Sequence, residues 1–262
     1  MRVSVRGEEI YVYTGARALD RSLPSVLFVH GAANDHSVWA LQSRYFAHHG
    51  RNVLAVDLPG HGRSSGSPLS SIEAIAAWIP ALLDAVDVRK ATIVGHSMGA
   101  LVTLEAASAC TERVTRIALL GPSVPMPVAE TLLEAARADD HLAYELVVSW
   151  SHSVGKQLGG NPFPGMWMTG GAMRLMERSA PGALHTDLVA CNQYVGGLAA
   201  AARVRCPVLL MVGLQDRMAP PKAAQALIDT LHDNRVVTLP GCGHAMMAEE
   251  PDRVLDALRA FV

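Results

Sequence analysis

The sequence lacks any excess of positive charge, because its 262 residues carry 22 Lys and Arg against 24 Asp and Glu. A formal net charge of −2 provides no basic field for a phosphate backbone or an acidic membrane surface, so we expect no nucleic-acid partner. The chain also lacks an apolar N-terminal signal region and any run of ~18 apolar residues. We therefore expect no membrane partner and a cytoplasmic location.

Cysteine is scarce, and its four copies are scattered: Cys110, Cys191, Cys206 and Cys242. None of them forms a Cys-x-x-Cys pair. This spacing predicts neither a zinc site nor a disulfide framework, and it favours free buried thiols in a reducing compartment.

Apolar residues, by contrast, make up half of the chain, which is enough for one large core. Continuous apolar runs of strand length occur at 25–30, 52–57, 91–96, 116–121, 207–213 and 235–240. Runs without polar alternation are typical of strands buried on both faces, and helical patterns lie between them. The pattern predicts an α/β fold with a mostly parallel, doubly wound sheet. Two alternating runs around Arg6 and Gly7 add an N-terminal antiparallel hairpin.

The alternation of strands and helices stops between about Ser123 and Arg205, where helical patterns follow one another. This segment is rich in Leu, Met and Trp, which would seek burial, so a loose linker is disfavoured. We predict a helical cap or lid at 123–205, ending in a return helix. The α/β core is then formed by 1–122 and 206–262.

A candidate nucleophile stands in the stretch "GHSMG", where Ser97 lies between Gly95 and Gly99. The motif closes a predicted buried strand and opens a helix, and the glycines permit a tight strand-to-helix turn. Ser97 would then sit at a helix N-terminus, where backbone N–H groups favour developing negative charge. In this context the pattern predicts an exposed, reactive hydroxyl.

A serine hydroxyl needs a base to take its proton, and that base needs an orienting group. His244 follows the last predicted strand, and Asp216 follows the strand before it. The carboxyl ends of parallel strands meet at one edge of a sheet, which is where such folds place their ligands. The order Ser97, Asp216, His244 also matches the order of the triad on this fold.

The loop after the first buried strand, "HGAANDHSVW", supplies a candidate for the oxyanion hole. The His30-Gly31 pair permits a tight bend that would turn the amide of Ala32 toward Ser97. Together with the amide of Met98 it would donate two hydrogen bonds to an oxyanion.

The order of "HGAANDHSVW", "DLPGHGRS", "GHSMG", "GLQDRMAP" and "GCGHA" resembles that of α/β-hydrolase-fold serine hydrolases along nearly the whole chain. Within that family the sequence is similar to small capped esterases, cofactor-free haloperoxidase-like hydrolases and lactonases. The resemblance implies hydrolysis of a small, largely apolar carboxylic ester or lactone through an acyl-enzyme. It implies a small-molecule substrate, no organic cofactor and no metal. The short "HGAA" departs from the "HGGG" loop of some esterases, which disfavours esters of bulky tertiary alcohols.

Two other functions fit the same residues. A carbon–carbon bond hydrolase of a ring-cleavage diketone is one, with Arg174 and Trp167 as candidate lid residues. A small-molecule sensor or binding protein without turnover is the other. A proline-releasing aminopeptidase fits less well, because its nucleophile motif is richer in Gly and Trp. No sequence feature predicts the oligomeric state.

Several neighbours of the motifs are expected to be structural. We expect the ring of His30 to fix the oxyanion loop, His61 to shape a nearby loop, and His96 to point away from Ser97. Asp57 is expected to be structural rather than the acid of the triad, and Cys242 to act as a small residue. Glu249 and Glu250 are expected to begin the final helix, where acidic groups suit the helix dipole. Five residues either line a pocket or pack the insertion onto the core: Met166, Trp167, Met168, Met173 and Met176.

Overall fold

The computed structural model describes residues 1–160 and 165–262. The part of the predicted cap at 161–164 lies outside the described residues. The strands are β1 (Arg2–Val5), β2 (Glu8–Tyr13), β3 (Ser25–Val29), β4 (Asn52–Val56), β5 (Ala91–His96), β6 (Val114–Leu120), β7 (Val208–Gly213) and β8 (Asn234–Leu239). The helices are α1 (Ala40–Ala47), α2 (Ile72–Ala85), α3 (Met98–Ala109), α4 (Glu130–Arg137), α5 (His141–Ser151), α6 (Val154–Gln157), α7 (Met168–Met176), α8 (Ala183–Gln193), α9 (Gly197–Arg203), α10 (Gln225–Thr230), α11 (Met246–Glu249) and α12 (Pro251–Arg259).

The eight strands form one sheet in the order β1-β2-β4-β3-β5-β6-β7-β8. β1 and β2 form an antiparallel hairpin, with Arg6 and Gly7 at positive φ in its turn, and β2 pairs antiparallel with β4. All the other pairs are parallel. The predicted fold class is therefore confirmed.

The continuous apolar runs are buried on both faces wherever the strand is central. Leu27 and Val29 of β3 belong to one core cluster with residues of α2 and α3. Val26 and Phe28 belong to a second cluster with residues of α12. β8 departs from the prediction of full burial, because it is the edge strand and most of its side chains are at least partly exposed.

Helices α4 to α9 lie between β6 and β7, in the interval 123–205, which we call the insertion. Its helices build a third apolar cluster that includes Leu132, Leu184 and Leu188 and also takes in Ala33 of the core. Tyr194 and Ala200, near the end of the insertion, pack into the first core cluster instead. The single predicted return helix is thus two helices, α8 and α9.

Among the described residues, no helix combines the length and the apolar character required for a membrane span.

Candidate active site

Ser97 occupies a strained turn between β5 and α3, with φ 55° and ψ −120°. A positive φ costs a non-glycine residue about 1–3 kcal/mol and persists only where the surroundings enforce it. The two glycines make the turn possible: a Cβ on Gly95 would lie 2.0 Å from the oxygen of Gly99, and one on Gly99 would lie 2.3 Å from the oxygen of Val29. Close contact between β5, α3 and β3 therefore requires glycine at both places.

His244 and Asp216, which are 28 residues apart in sequence, meet at the ends of β8 and β7. Nδ1 of His244 lies 2.7 Å from Oδ2 of Asp216, and both side chains are buried. The other oxygen of Asp216 accepts hydrogen bonds from the amides of Met218 (2.8 Å) and Ala219 (2.7 Å). A carboxylate held in this way accepts the Nδ1 proton of His244 and leaves Nε2 as the basic nitrogen.

Ser97 and His244 line the same cavity, whose volume is about 170 Å³ and which we call the serine cavity. Nε2 of His244 is buried and has no hydrogen-bond partner among the described residues. The wall is mostly apolar and includes Leu132, Leu184 and Leu188. An unpartnered basic nitrogen thus shares a small apolar cavity with a strained serine.

The loop after β3 also reaches the serine cavity, through Ala32. Ala33 has φ 51°, so the chain bends sharply directly after Ala32. Within the described part of the chain, the amides of Ala32 and Met98 donate to no other group. They are free to donate to a ligand.

His30 is fully buried, and its ring holds this loop as expected. Nε2 accepts a hydrogen bond from the amide of Leu58 (3.1 Å), which places the proton on Nδ1, 2.8 Å from the oxygen of Gly31. The pKa of His30 is lowered to about 4, because burial disfavours the charged ring and the charge of His61 acts in the same direction. His30 is therefore neutral at pH 7.

His96 was expected to point away from Ser97 and to stay clear of the chemistry. Its ring packs against the ring of His244 at 4.6 Å between centroids and bonds the backbone oxygen of His244 through Nε2 (2.9 Å), and His96 is among the residues that line the serine cavity. Burial, followed by the charge of His244, lowers the pKa of His96 to about 3. The rings of His96 and His244 meet because β5 is central in the sheet and the loop after β8 folds back across the end of β5.

Glu249 also differs from expectation. It ends the short helix α11 and is fully buried rather than placed in the first turn of the last helix. Its carboxylate accepts from the amide of Gly243 (3.1 Å), beside His244, and from the amide (3.1 Å) and hydroxyl (2.6 Å) of Ser153 in the insertion. Glu250 does precede the final helix, and it pairs with Lys156.

Asp57 and Cys242 have structural surroundings, as predicted. Asp57 is buried and accepts from the backbone and ring of His36 and from the amide of Arg63. Asp57 also belongs, with Asp35 and His36, to the group of possible metal ligands found in the described ranges. Its oxygens are already engaged in hydrogen bonds. Cys242 is fully buried, and burial raises the pKa of its thiol.

Sequence reasoning missed Asp187, a fully buried carboxylate on helix α8 of the insertion. One of its oxygens accepts from the amide of Ala33 (2.9 Å) and faces Nε2 of His61 (2.9 Å). The available signal was an acidic residue in the mostly apolar stretch "DLVAC", but its partners lie 126 and 154 residues away. His61 is structural, as expected, although its partner was not foreseen.

A second, larger cavity of about 440 Å³ adjoins the serine cavity and shares Asn34, His96, Val147 and Ser151 with it. The sequence left two alternatives for five residues of the insertion, lining a pocket or packing onto the core. Four of the five lie in the wall of the larger cavity: Met166, Trp167, Met168 and Met176. Met173 packs within the insertion. Arg174 also lines the larger cavity and pairs with Glu177 at 2.6 Å.

The sheet, the strained serine and the His–Asp pair define an α/β hydrolase fold with a hydrolase-like site. Comparison with known proteins agrees: a profile of the alpha/beta hydrolase family matches residues 26–257. The chain therefore belongs to the alpha/beta hydrolase family. The prediction that it is a hydrolase is confirmed.

Three similar proteins illustrate the relationship. A pimeloyl-[acyl-carrier protein] methyl ester esterase of Aromatoleum aromaticum is 30% identical over 244 residues, which cover 87% of this chain and 94% of that protein. The enol-lactonase of Burkholderia xenovorans has the same fold, with a TM-score of 0.87 at 20% identity over 100% of this chain and 99% of that one. An esterase of Exiguobacterium antarcticum gives a TM-score of 0.85 at 16% identity over 99% and 98%.

Proposed function

We propose that this hydrolase cleaves a small, largely apolar carboxylic ester or lactone through an acyl-enzyme on Ser97. The observation that carries the proposal is the serine cavity, where the strained serine and the unpartnered Nε2 of His244 face one apolar space. The full-length similarity to a methyl ester esterase supports the ester class.

In the proposed first step, Oγ of Ser97 attacks the substrate carbonyl while Nε2 of His244 takes the hydroxyl proton. Asp216 holds the imidazole in the required tautomer and stabilises its charged form. The carbonyl oxygen becomes an oxyanion, and the amides of Ala32 and Met98 donate to it. The imidazolium then protonates the departing alkoxide, which leaves the acyl group on the serine.

In the second step, His244 takes a proton from water as the water attacks the acyl-enzyme. The same two amides stabilise the second oxyanion. As it collapses, the imidazolium of His244 returns its proton to Oγ, which releases the acid and restores Ser97. The small volume of the serine cavity, about 170 Å³, suits a short or compact acyl group. The acyl group should also be apolar, because Leu132, Leu184 and Leu188 offer it no polar partner.

The carbon–carbon hydrolase alternative is less well supported by the arrangement of the insertion. Its two candidate residues, Arg174 and Trp167, line the larger cavity and are absent from the wall around Ser97. The guanidinium of Arg174 is largely exposed and is already paired with Glu177. Turnover of a ring-cleavage diketone faster than of simple esters would favour that alternative.

Replacement of the nucleophile tests the proposal. Ser97→Ala should reduce kcat for a p-nitrophenyl short-chain ester by about 10⁶-fold, since the triad acts as a unit. It should also abolish labelling by a fluorophosphonate. Retained turnover in the variant would contradict the proposal. A wild-type protein that is labelled once and slowly, without multiple turnovers, would instead indicate a sensor.

A further inference from the structure

The insertion holds the loop that carries Ala32 through a buried oxygen of Asp187, and Arg178 reaches Asp35 of the same loop at 3.5 Å. Oδ2 of Asp187 accepts the amide of Ala33 at 2.9 Å, one residue after the proposed oxyanion donor. Ala33 is 1% exposed and has φ 51°, a conformation that an alanine adopts only under constraint. The hydrogen bond that the amide of Ala33 donates to Asp187 supplies part of that constraint.

His61 compensates the charge of this buried carboxylate. Both ring nitrogens of His61 face acceptors: Nε2 lies 2.9 Å from Asp187, and Nδ1 lies 3.0 Å from the oxygen of Pro59. Only the doubly protonated ring donates to both. Burial by itself would lower the pKa of His61, but the charge of Asp187 and the bond to it outweigh burial, so the pKa is raised.

A second ring completes the support of the loop. His61 packs against His30 at 5.0 Å between centroids, and His30 bonds the oxygen of Gly31. The backbone on both sides of Ala32 is thus fixed, at Gly31 by the core and at Ala33 by the insertion. The other oxygen of Asp187 is buried and has no partner among the described residues.

We propose that Asp187 is a positioning residue for oxyanion stabilisation, which it performs by holding the amide of Ala33 and thereby the orientation of the Ala32 amide. This inference rests on the proposed function. It also gives the insertion a role in the chemical step, in addition to enclosing the substrate. A donor displaced by a fraction of an ångström would bind the ground state unchanged and the oxyanion poorly.

The test uses Asp187→Ala, Asp187→Asn and a control, Tyr194→Phe. Tyr194 is also buried, follows the same helix, and donates to Glu105 of α3 instead of holding the loop of Ala32, so the loss of its hydroxyl weakens a different link between insertion and core. The unfolding temperature and the fraction of folded protein are measured for each variant. Turnover is then expressed per folded molecule.

Two ketones separate the oxyanion from ground-state binding. A trifluoromethyl ketone forms a hemiketal in which Oγ of Ser97 bonds to carbon, the serine proton moves to Nε2 of His244, and the carbonyl electron pair becomes the oxyanion. The matching methyl ketone binds without this step. Asp187→Ala should lower kcat by about 100-fold and the affinity for the trifluoromethyl ketone by about 100-fold. KM and the affinity for the methyl ketone should change by less than about threefold.

Asp187→Asn keeps an acceptor for the amide of Ala33 and should recover at least about tenfold of the lost kcat. Tyr194→Phe should lower the unfolding temperature, but it should not weaken binding of the trifluoromethyl ketone more than binding of the methyl ketone. Equal weakening of both ketones by Asp187→Ala, or kcat unchanged in its folded fraction, would overturn the inference.

Hydrogen exchange of the backbone at residues 30–34 provides a readout that does not depend on catalysis. Exchange should be faster in Asp187→Ala than in the wild type and in Tyr194→Phe, and equal rates would overturn the inference. If wild-type protein neither turns over esters nor forms the hemiketal, the proposed function fails. The exchange result then still decides whether Asp187 holds the loop.

Discussion

The serine cavity has two sides: a histidine side, with the loop of His244, and an amide side, with the loop of Ala32. Each loop is tied to the insertion by a fully buried carboxylate. On the histidine side the core supplies the carboxylate, Glu249, and the insertion supplies its donor, Ser153. On the amide side the insertion supplies the carboxylate, Asp187, and the core supplies the donors.

The two ties differ in how their charge is compensated. Among the described residues, the hydrogen-bond partners of Glu249 are neutral amides and a hydroxyl, whereas Asp187 faces the ring of His61, whose pKa is raised by the charge of Asp187 and the hydrogen bond to it in spite of burial. The tie through Asp187 therefore depends on the protonation of His61, and the tie through Glu249 involves no histidine. Two of the links between the insertion and the active-site loops are therefore buried carboxylates, and pH is expected to act on the one that faces His61.

The largest expected effect breaks the histidine side. Because the amides of Met218 and Ala219 already bond one oxygen of Asp216, Asp216→Asn would keep its carbonyl there and turn its NH₂ toward Nδ1 of His244. That forces the proton of the ring onto Nε2, which can no longer accept the proton of Ser97. We expect kcat for a p-nitrophenyl ester to fall by about 10⁴-fold at pH 7. A loss below about tenfold would contradict the assigned role.

The second prediction uses pH to sharpen the contrast. The pKa of His30 is about 4 in the folded protein, against an ordinary value of 6.5, so the unfolded chain binds more protons between these values. Stability should therefore fall as pH drops from about 6.5 to 4, by on the order of 3 kcal/mol from this group. His96 acts in the same direction. His61 acts in the opposite direction, because its pKa is raised: its contribution is full below about 6.5 and is lost as pH rises through the folded value.

The free energy of unfolding in urea, measured between pH 4 and 8 for the wild type and for His30→Gln, gives the contribution of His30 to the pH dependence of stability. The glutamine can accept from the amide of Leu58 and does not titrate. The variant should lose less stability on acidification than the wild type. Identical slopes in both proteins would show that His30 does not carry the effect.

The smallest predicted effect breaks the tie through Glu249, whose hydrogen-bond partners are neutral. Glu249→Gln would place an NH₂ group among the donors of Gly243 and Ser153, and should destabilise the protein by about 2 kcal/mol. The control is the neighbouring Glu250→Gln, which removes a partly exposed pair with Lys156 and should cost less than about 1 kcal/mol. Urea unfolding at pH 7 distinguishes the two. Equal costs would mean that the buried carboxylate contributes no more than a surface charge.

The sheet and the three proposed catalytic side chains could be predicted from the sequence because each signal is local. A strand buried on both faces is a continuous apolar run, and a nucleophile turn needs glycines two positions on either side of the serine. Strand ends then bring Ser97, Asp216 and His244 to one edge. The partners of Asp187 and His96, and Ser153 as a partner of Glu249, could not be predicted in this way. Each of these partners lies on an element that is distant in sequence.

The sequence by itself determined the family, the order of the strands' apolar runs and which residue types could react. The family follows from the resemblance of the motifs and their order, and the other two properties follow from periodicity and from the space that a turn leaves around a glycine. Only the tertiary structure decided that the ring of His96 packs against that of His244, that Glu249 is buried, and that a carboxylate from the insertion holds the loop of Ala32. The physical reason is that buried polar atoms must find partners, and packing alone determines which distant atoms are within reach.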